Sequence, residues 1–138
     1  MESATPKLML VENDPYFIYL LKLYAEQSGF TVVSTSSAWS ALALAREESP
    51  TVIVLESDLP GMDGGEFLRS LRAEPQTQAI PVIVCLWQDS QPWCEPSRTE
   101  EVLHKPLQFD DFVLALKNIG VWPGDDAGKP KRPLLTRT

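Results

Sequence analysis

The sequence predicts an α/β domain in which a parallel five-stranded sheet is doubly wound, with helices on both faces. Short, continuous apolar runs recur along the chain, and such runs are typical of strands buried on both faces of a sheet. Longer segments with apolar residues at helical spacing lie between these runs. Strands that alternate with helices imply right-handed crossovers, so we expect all strands to run in one direction.

The first strand and helix are predicted within residues 8–29. Residues 8–11 form an apolar run, which we interpret as the first strand. Asp14 and Pro15 predict a helix start, because Asp caps the first turn and proline suits the first helical position. Gly29 is a natural stop. The apolar face of this helix consists of Phe17, Ile18, Leu21, Tyr24 and Ala25.

The second unit and the third strand follow the same pattern. Residues 30–33 predict a strand, since β-branched and aromatic residues are enriched there. Ser37 can cap a second helix, which must end before Pro50 because the residue preceding a proline disfavours helical geometry. Residues 51–55 are apolar again and predict the third strand.

The remaining elements complete five strands in all. A glycine-rich turn at residues 59–64 leads into a third helix that Pro75 closes. Residues 81–86 and 102–104 predict the fourth and fifth strands, and residues 109–119 predict the last helix. The chain therefore contains the strand and helix alternation of a doubly wound sheet.

Two parts of the chain depart from this regular alternation. Residues 87–99 lie where a full fourth helix belongs, but Pro92 and Pro96 would interrupt it, so we expect a shortened or irregular helix. After Gly120 the sequence turns to proline, glycine and charge. We therefore predict a domain over residues 1–120 and a flexible tail over residues 121–138.

Composition excludes several classes of protein. The 138 residues carry a formal net charge of −7, which repels nucleic acid unless a local basic patch exists. Lys129, Lys131 and Arg132 are the one candidate patch, and a solvated extension explains them more simply. No apolar stretch is long enough to span a membrane, and the N-terminus lacks signal-peptide features, which predicts a cytoplasmic protein. Cys85 and Cys94 are too few for a disulfide framework.

Four segments resemble the receiver domains of bacterial response regulators, which act in two-component signalling. They read LMLVENDP, VIVLESDLPGMDGGEFLRSLR, IPVIVCL and HKPL, in the family's order, over roughly residues 7–119. The resemblance implies a flavodoxin-like receiver fold with its site at the carboxyl ends of the strands.

The family's phosphorylation chemistry implies particular residues at these strand ends. Two acids and an acceptor Asp hold Mg²⁺, a hydroxyl bonds the phosphoryl group, and a Lys neutralises its oxygens. An aromatic side chain three residues before the Lys takes part in the switch. The matching positions in this chain are Glu12, Asn13, Glu56 (acceptor), Leu86 (hydroxyl), Val102 (aromatic) and Lys105.

Most of these positions are substituted, so the resemblance points to an atypical pseudo-receiver. Glu56 is one methylene longer than the expected acceptor, and a misplacement of about 1 Å costs roughly a hundredfold in rate. Glu12 and Glu56 would hold Mg²⁺ weakly, if at all. Leu86 cannot donate a hydrogen bond. Glu56 is open to two interpretations: a permanent anionic partner of Lys105 that mimics phosphorylation, or a relic carboxylate.

The leading functional hypothesis is a stand-alone, non-enzymatic receiver that binds a signalling protein, such as a histidine kinase or an output protein, without phosphorylation. The alternative is a Mg²⁺-dependent phosphoacceptor that uses Glu56. A small-ligand or flavin binder is a third hypothesis, but the acidic loop after the first strand does not suit phosphate. Trp87 and Trp93 are candidates for partner binding, or else they pack over the irregular helix.

Overall fold

The computed structural model describes residues 5–57, 59, 64–87 and 100–123. Within these ranges the chain forms five strands and four helices. The elements in chain order are β1 (Lys7–Val11), α1 (Pro15–Gln27), β2 (Thr31–Thr35), α2 (Ala38–Glu48), β3 (Val52–Glu56), α3 (Gly64–Arg72), β4 (Val82–Trp87), β5 (Glu100–Lys105) and α4 (Phe109–Asn118).

All five strands form one parallel sheet in the order β2-β1-β3-β4-β5. The predicted fold class is therefore confirmed. The chain leaves β1 toward one side of the sheet and returns to β3 on the other side. This switch in strand order opens a crevice at the carboxyl ends of β1 and β3, where open α/β sheets hold their sites.

The predicted helix starts are present with their capping bonds. The Asp14 side chain accepts a hydrogen bond of 3.1 Å from the Tyr16 amide, and Pro15 takes the first helical position. Ser37 Oγ accepts a bond of 3.3 Å from the Ser40 amide at the start of α2. These caps fix where each helix begins and therefore how each preceding loop meets the crevice.

Each face of the sheet has its own apolar core. One core lies beneath α2 and α3 and includes Phe67 and Leu71, both fully buried. The other lies beneath α1 and α4 and includes Leu21 and Phe112, and Trp122 packs against it from beyond α4. The strands are thus covered on both sides, which explains their continuous apolar runs.

The fifth strand is longer than its apolar pattern predicts. It begins at Glu100 rather than at Val102, because the parallel ladder with β4 starts with the pair Val82 and Glu100. Glu100 and Glu101 are only partly buried at the edge of the sheet, so the strand tolerates charge there. A search for apolar runs does not assign such charged residues to a strand.

Two predictions concern residues outside the described ranges. The irregular fourth helix falls on residues 88–99, between β4 and β5, so α4 denotes the last helix of the chain. Most of the predicted tail falls on residues 124–138. No helix in the described ranges is long and apolar enough to cross a bilayer.

Candidate functional site

Three charged side chains meet at the carboxyl ends of the strands. Glu12 follows β1, Glu56 is the last residue of β3, and Lys105 is the last residue of β5. Their exposed fractions are 2%, 4% and 4%. Burial of three ionisable groups is costly unless they compensate one another, so their mutual contacts matter for the whole domain. We call these three residues the Lys105 cluster.

One ammonium group is shared by two carboxylates in the Lys105 cluster. Lys105 Nζ donates a hydrogen bond to Glu56 Oε1 and lies 3.6 Å from Glu12 Oε1. Glu12 Oε2 accepts a bond of 3.2 Å from the backbone amide of Asp14. The loop that caps α1 therefore also positions Glu12. Pro106 follows Lys105 through a cis peptide bond.

Two aromatic rings enclose the same ammonium group. The ring centroid of Phe17 lies 4.0 Å from Lys105 Nζ, and that of Trp87 lies 5.2 Å from it. Both distances allow a cation–π attraction, which strengthens where water is excluded. Phe17 is 5% exposed, whereas Trp87 is 55% exposed, so Trp87 forms the outer wall of the site.

Burial changes the protonation of the Lys105 cluster. Loss of solvent raises the pKa of Glu12 to about 7, although the nearby Lys105 charge opposes this and Glu56 adds to it. Burial also acts to lower the pKa of Lys105, but its hydrogen bond to Glu56 and the negative charges of both carboxylates outweigh this and leave the pKa raised. Burial thus favours the protonated form of Glu12 relative to an exposed glutamate.

The other predicted site positions lie around the cluster without joining it. The Asn13 side chain is exposed at the rim. Leu86 is 1% exposed in the core beneath α2 and α3, and Val102 packs against that same core. Both are hydrocarbon side chains and donate no hydrogen bond. Trp93 lies outside the described residues.

The described side chains do not fit a Mg²⁺ ion. Mg²⁺ requires oxygen ligands that are free to face it in octahedral geometry. Both candidate carboxylates, of Glu12 and Glu56, instead face the ammonium of Lys105, which would repel a second cation. No group of three or more His, Cys, Asp or Glu side chains suited to a metal occurs among the residues placed by the structure.

The sequence predicts the three charged residues of the cluster and also predicts Trp87 beside them, as a residue that could bind a partner. It predicts Phe17 only as part of the apolar face of α1. The signal that marks Phe17 is its place in the first turn of the helix, directly after the loop that carries Glu12.

Comparisons with known proteins decide the family. Residues 8–117 match the model of the response regulator receiver domain. The chain belongs to this family. The receiver domain is 29% identical to PilH of Pseudomonas aeruginosa over 116 residues, which cover 82% of this chain and 96% of PilH. It is 27% identical to the polar-differentiation response regulator DivK of Brucella ovis, with 83% and 95% covered.

Solved receiver domains share the same fold. The receiver domain of the sensor histidine kinase PA1611 from Pseudomonas aeruginosa, which has a magnesium ion coordinated in its active site cleft, matches with a TM-score of 0.74 at 20% identity. It covers 85% of this chain and 99% of its own. The chemotaxis protein CheY4 of Vibrio cholerae matches with a TM-score of 0.73 at 20% identity, over 84% and 99% of the two chains.

Proposed function

We propose that this receiver domain acts in two-component signalling as a non-enzymatic interaction module that works without phosphorylation. The observation that carries the proposal is the Lys105 cluster. The lysine that neutralises a phosphoryl group in the family already bonds to Glu56, and Glu12 lies beside it. The Glu56 carboxylate thus occupies the position beside Lys105 that an incoming phosphoryl group would need.

The surroundings of the cluster support the same proposal. A phosphoryl group must be stabilised by cationic and hydrogen-bonding groups as its charge develops. Leu86 offers no hydroxyl, and Lys105 is enclosed by the rings of Phe17 and Trp87. No Mg²⁺ contributes in this proposal, because the two carboxylates already compensate the ammonium.

The proposed partner is a signalling protein, either a histidine kinase or an output protein. Trp87 supports a contact surface at the carboxyl end of the sheet, because 55% of this residue is exposed beside the cluster. Tryptophan is enriched among the residues that dominate protein–protein binding. A partner that covers Trp87 would sense the arrangement of Lys105 beneath it.

One observation favours a second candidate function, a Mg²⁺-dependent phosphoacceptor that uses Glu56. The Glu56 carboxylate occupies the acceptor position at the end of β3 and contacts the retained Lys105. This candidate requires a phosphoryl donor to approach Glu56 past Trp87. It also requires the Lys105 ammonium to release the carboxylate oxygen that attacks.

Incubation with acetyl phosphate and Mg²⁺, followed by intact-mass measurement, tests the two candidates. We expect no phosphoryl adduct on the natural chain. A matched variant with Asn13→Asp, Glu56→Asp and Leu86→Thr restores the family's residue types and should accept the phosphoryl group. A receiver domain with the complete residue set serves as the positive control for the donor. An adduct mapped to Glu56 of the natural chain would overturn the proposal and establish the second candidate.

A further inference from the structure

A groove separate from the Lys105 cluster lies at the outer edge of the sheet, between β5 and α4. Its volume is about 310 Å³. Leu103 and Ala115 line it and are buried, whereas Leu114 on its rim is 48% exposed. The groove therefore presents one exposed apolar side chain, that of Leu114, beside the last strand of the sheet. The proposed signalling function does not use it.

The charge of this groove is negative. Glu101 of β5 and Asp111 of α4 both line it, and Asn118 donates a bond of 3.3 Å to Glu101 Oε2. Among the lining residues that the structure places, none is a lysine or an arginine. An extended segment that carries cationic side chains and leucine would match both the acids and the exposed Leu114.

The chain itself contains a segment of this kind beyond α4. Residues 129–135 read KPKRPLL, with three cationic side chains followed by two leucines. Pro130 and Pro133 favour an extended polyproline conformation and disfavour a helix. The same stretch provides positive charge to pair with the acids of the groove and leucine side chains to pack on Leu114. This segment is positively charged, which is unusual in a chain whose formal net charge is −7.

We propose that residues 129–135 dock in the groove between β5 and α4 of the same chain. The cationic side chains then face Glu101 and Asp111, and the leucine side chains cover Leu114. The groove is thereby occupied by the chain itself, and a partner that requires this face must displace the segment.

The length of the intervening chain permits this contact. Pro123 lies next to Gly29, close to the start of β2, at 3.7 Å from the position of a Cβ added to that glycine. Four strand spacings separate β2 from β5, which is about 19 Å. The six steps from Pro123 to Lys129 extend about 20 Å. Residues 129–135 then extend about 22 Å, similar to the length of β5.

Disulfide formation between introduced cysteines tests the contact in the full chain. Leu114→Cys and Leu135→Cys are combined with Cys94→Ser, while Cys85 stays because it is fully buried. The control pair replaces Leu114→Cys with Trp39→Cys, on the opposite face of the sheet and 64% exposed. We expect the first pair to close within one chain about tenfold faster than the control pair, because docking raises the effective concentration.

Other outcomes of the disulfide experiment would overturn the proposal. Equal closure rates for the two pairs would show that residues 129–135 have no preference for the groove. A disulfide that forms only between chains, with a rate that rises with protein concentration, would assign the groove to a second copy. Intact mass distinguishes the linked monomer from the linked dimer.

Neutral substitutions test the role of charge. Lys131→Gln with Arg132→Gln should slow closure of the first pair about threefold, since exposed ion pairs contribute modestly. Glu101→Gln with Asp111→Asn should slow it by a similar factor. Glu26→Gln with Glu47→Gln removes two exposed acids elsewhere and should leave the rate unchanged. Equal rates in all three variants would contradict an electrostatic match between the segment and the groove.

Discussion

The sheet holds a buried or half-buried cation at each end of its strands, and the two sites differ in charge balance. At the amino end, Arg72 of α3 pairs with Glu100, with a distance of 3.1 Å from Nε to Oε2. Arg72 Nη1 also donates to the backbone carbonyls of Gln78 and Ile80 at 3.0 Å and 2.7 Å. At the carboxyl end, Lys105 faces two carboxylates.

The difference lies in the number of acids around each cation. Arg72 joins α3, β4 and β5 with one cation, one acid and neutral acceptors, which is a balanced arrangement. The Lys105 cluster places two carboxylates around one cation in a buried place, and burial, with a smaller contribution from the Glu56 charge, raises the pKa of Glu12. The ion pair at the amino end is thus balanced, whereas the cluster at the carboxyl end contains one more acid than cations.

Removal of the Lys105 charge should have the largest effect on stability and tests the comparison of the two sites. Lys105→Met leaves Glu12 and Glu56 buried without a cation, so the free energy of unfolding should fall by about 3–5 kcal/mol. Urea unfolding followed by circular dichroism measures the change. Lys22→Met on the exposed side of α1 is the matched control and should change stability by less than about 0.5 kcal/mol. A loss below about 1 kcal/mol for Lys105→Met would mean that the cluster is not electrostatically coupled.

The pH dependence of stability tests the Lys105 cluster further, and its expected effect is intermediate in size. The pKa of Glu12 is about 7 in the folded chain and has an ordinary value of 4.5 when exposed. The folded state therefore binds more protons between these values, and stability falls as pH rises until it levels off above the folded pKa.

Glu12→Gln should abolish this contribution. From pH 5 to pH 8 the natural chain should lose about 2–3 kcal/mol more than the variant. Urea unfolding at several pH values measures the difference, and Glu26→Gln, an exposed acid of α1, is the control. Parallel curves for the natural chain and Glu12→Gln would show that Glu12 is ionised throughout this range.

The amino-end site gives the smallest effect of the three. Arg72→Met removes one cation and leaves two carbonyls and Glu100 to be satisfied by water. Because Arg72 is partly accessible, the loss should be about 1–2 kcal/mol. Arg69→Met, an exposed arginine of the same helix, is the control in thermal unfolding. A larger loss for Arg72→Met than for Lys105→Met would reverse the comparison of the two ends.

Local signals made most of the fold predictable from the sequence. Asp14, Pro15 and Ser37 mark helix starts by short-range capping, and the apolar runs mark strands that are covered on both faces. The start of β5 was missed because Glu100 and Glu101 are held by pairing with β4 rather than by their own apolarity. Backbone pairing between segments that are distant in sequence gives no signal in the local residue pattern.

The site was predictable only in part, for a similar reason. Spacing relative to the family's motifs located Glu12, Glu56 and Lys105. The position of Trp87 at the end of β4 predicts its place beside the site, whereas the ring of Phe17 reaches Lys105 from a helix, and sequence spacing does not reveal such an approach. The sequence does not predict the edge groove either, since the groove forms only where β5 and α4 lie side by side.

The enclosure of Lys105 has a consequence for covalent labelling of the domain. Acylating reagents attack only the neutral amine, and Lys105 combines a raised pKa with 4% exposure. Exposed lysines such as Lys22 should therefore react first, and Lys105 should resist modification while the domain is intact. The extent of acylation at Lys105, measured on the peptide that contains it, then shows whether the crevice has opened.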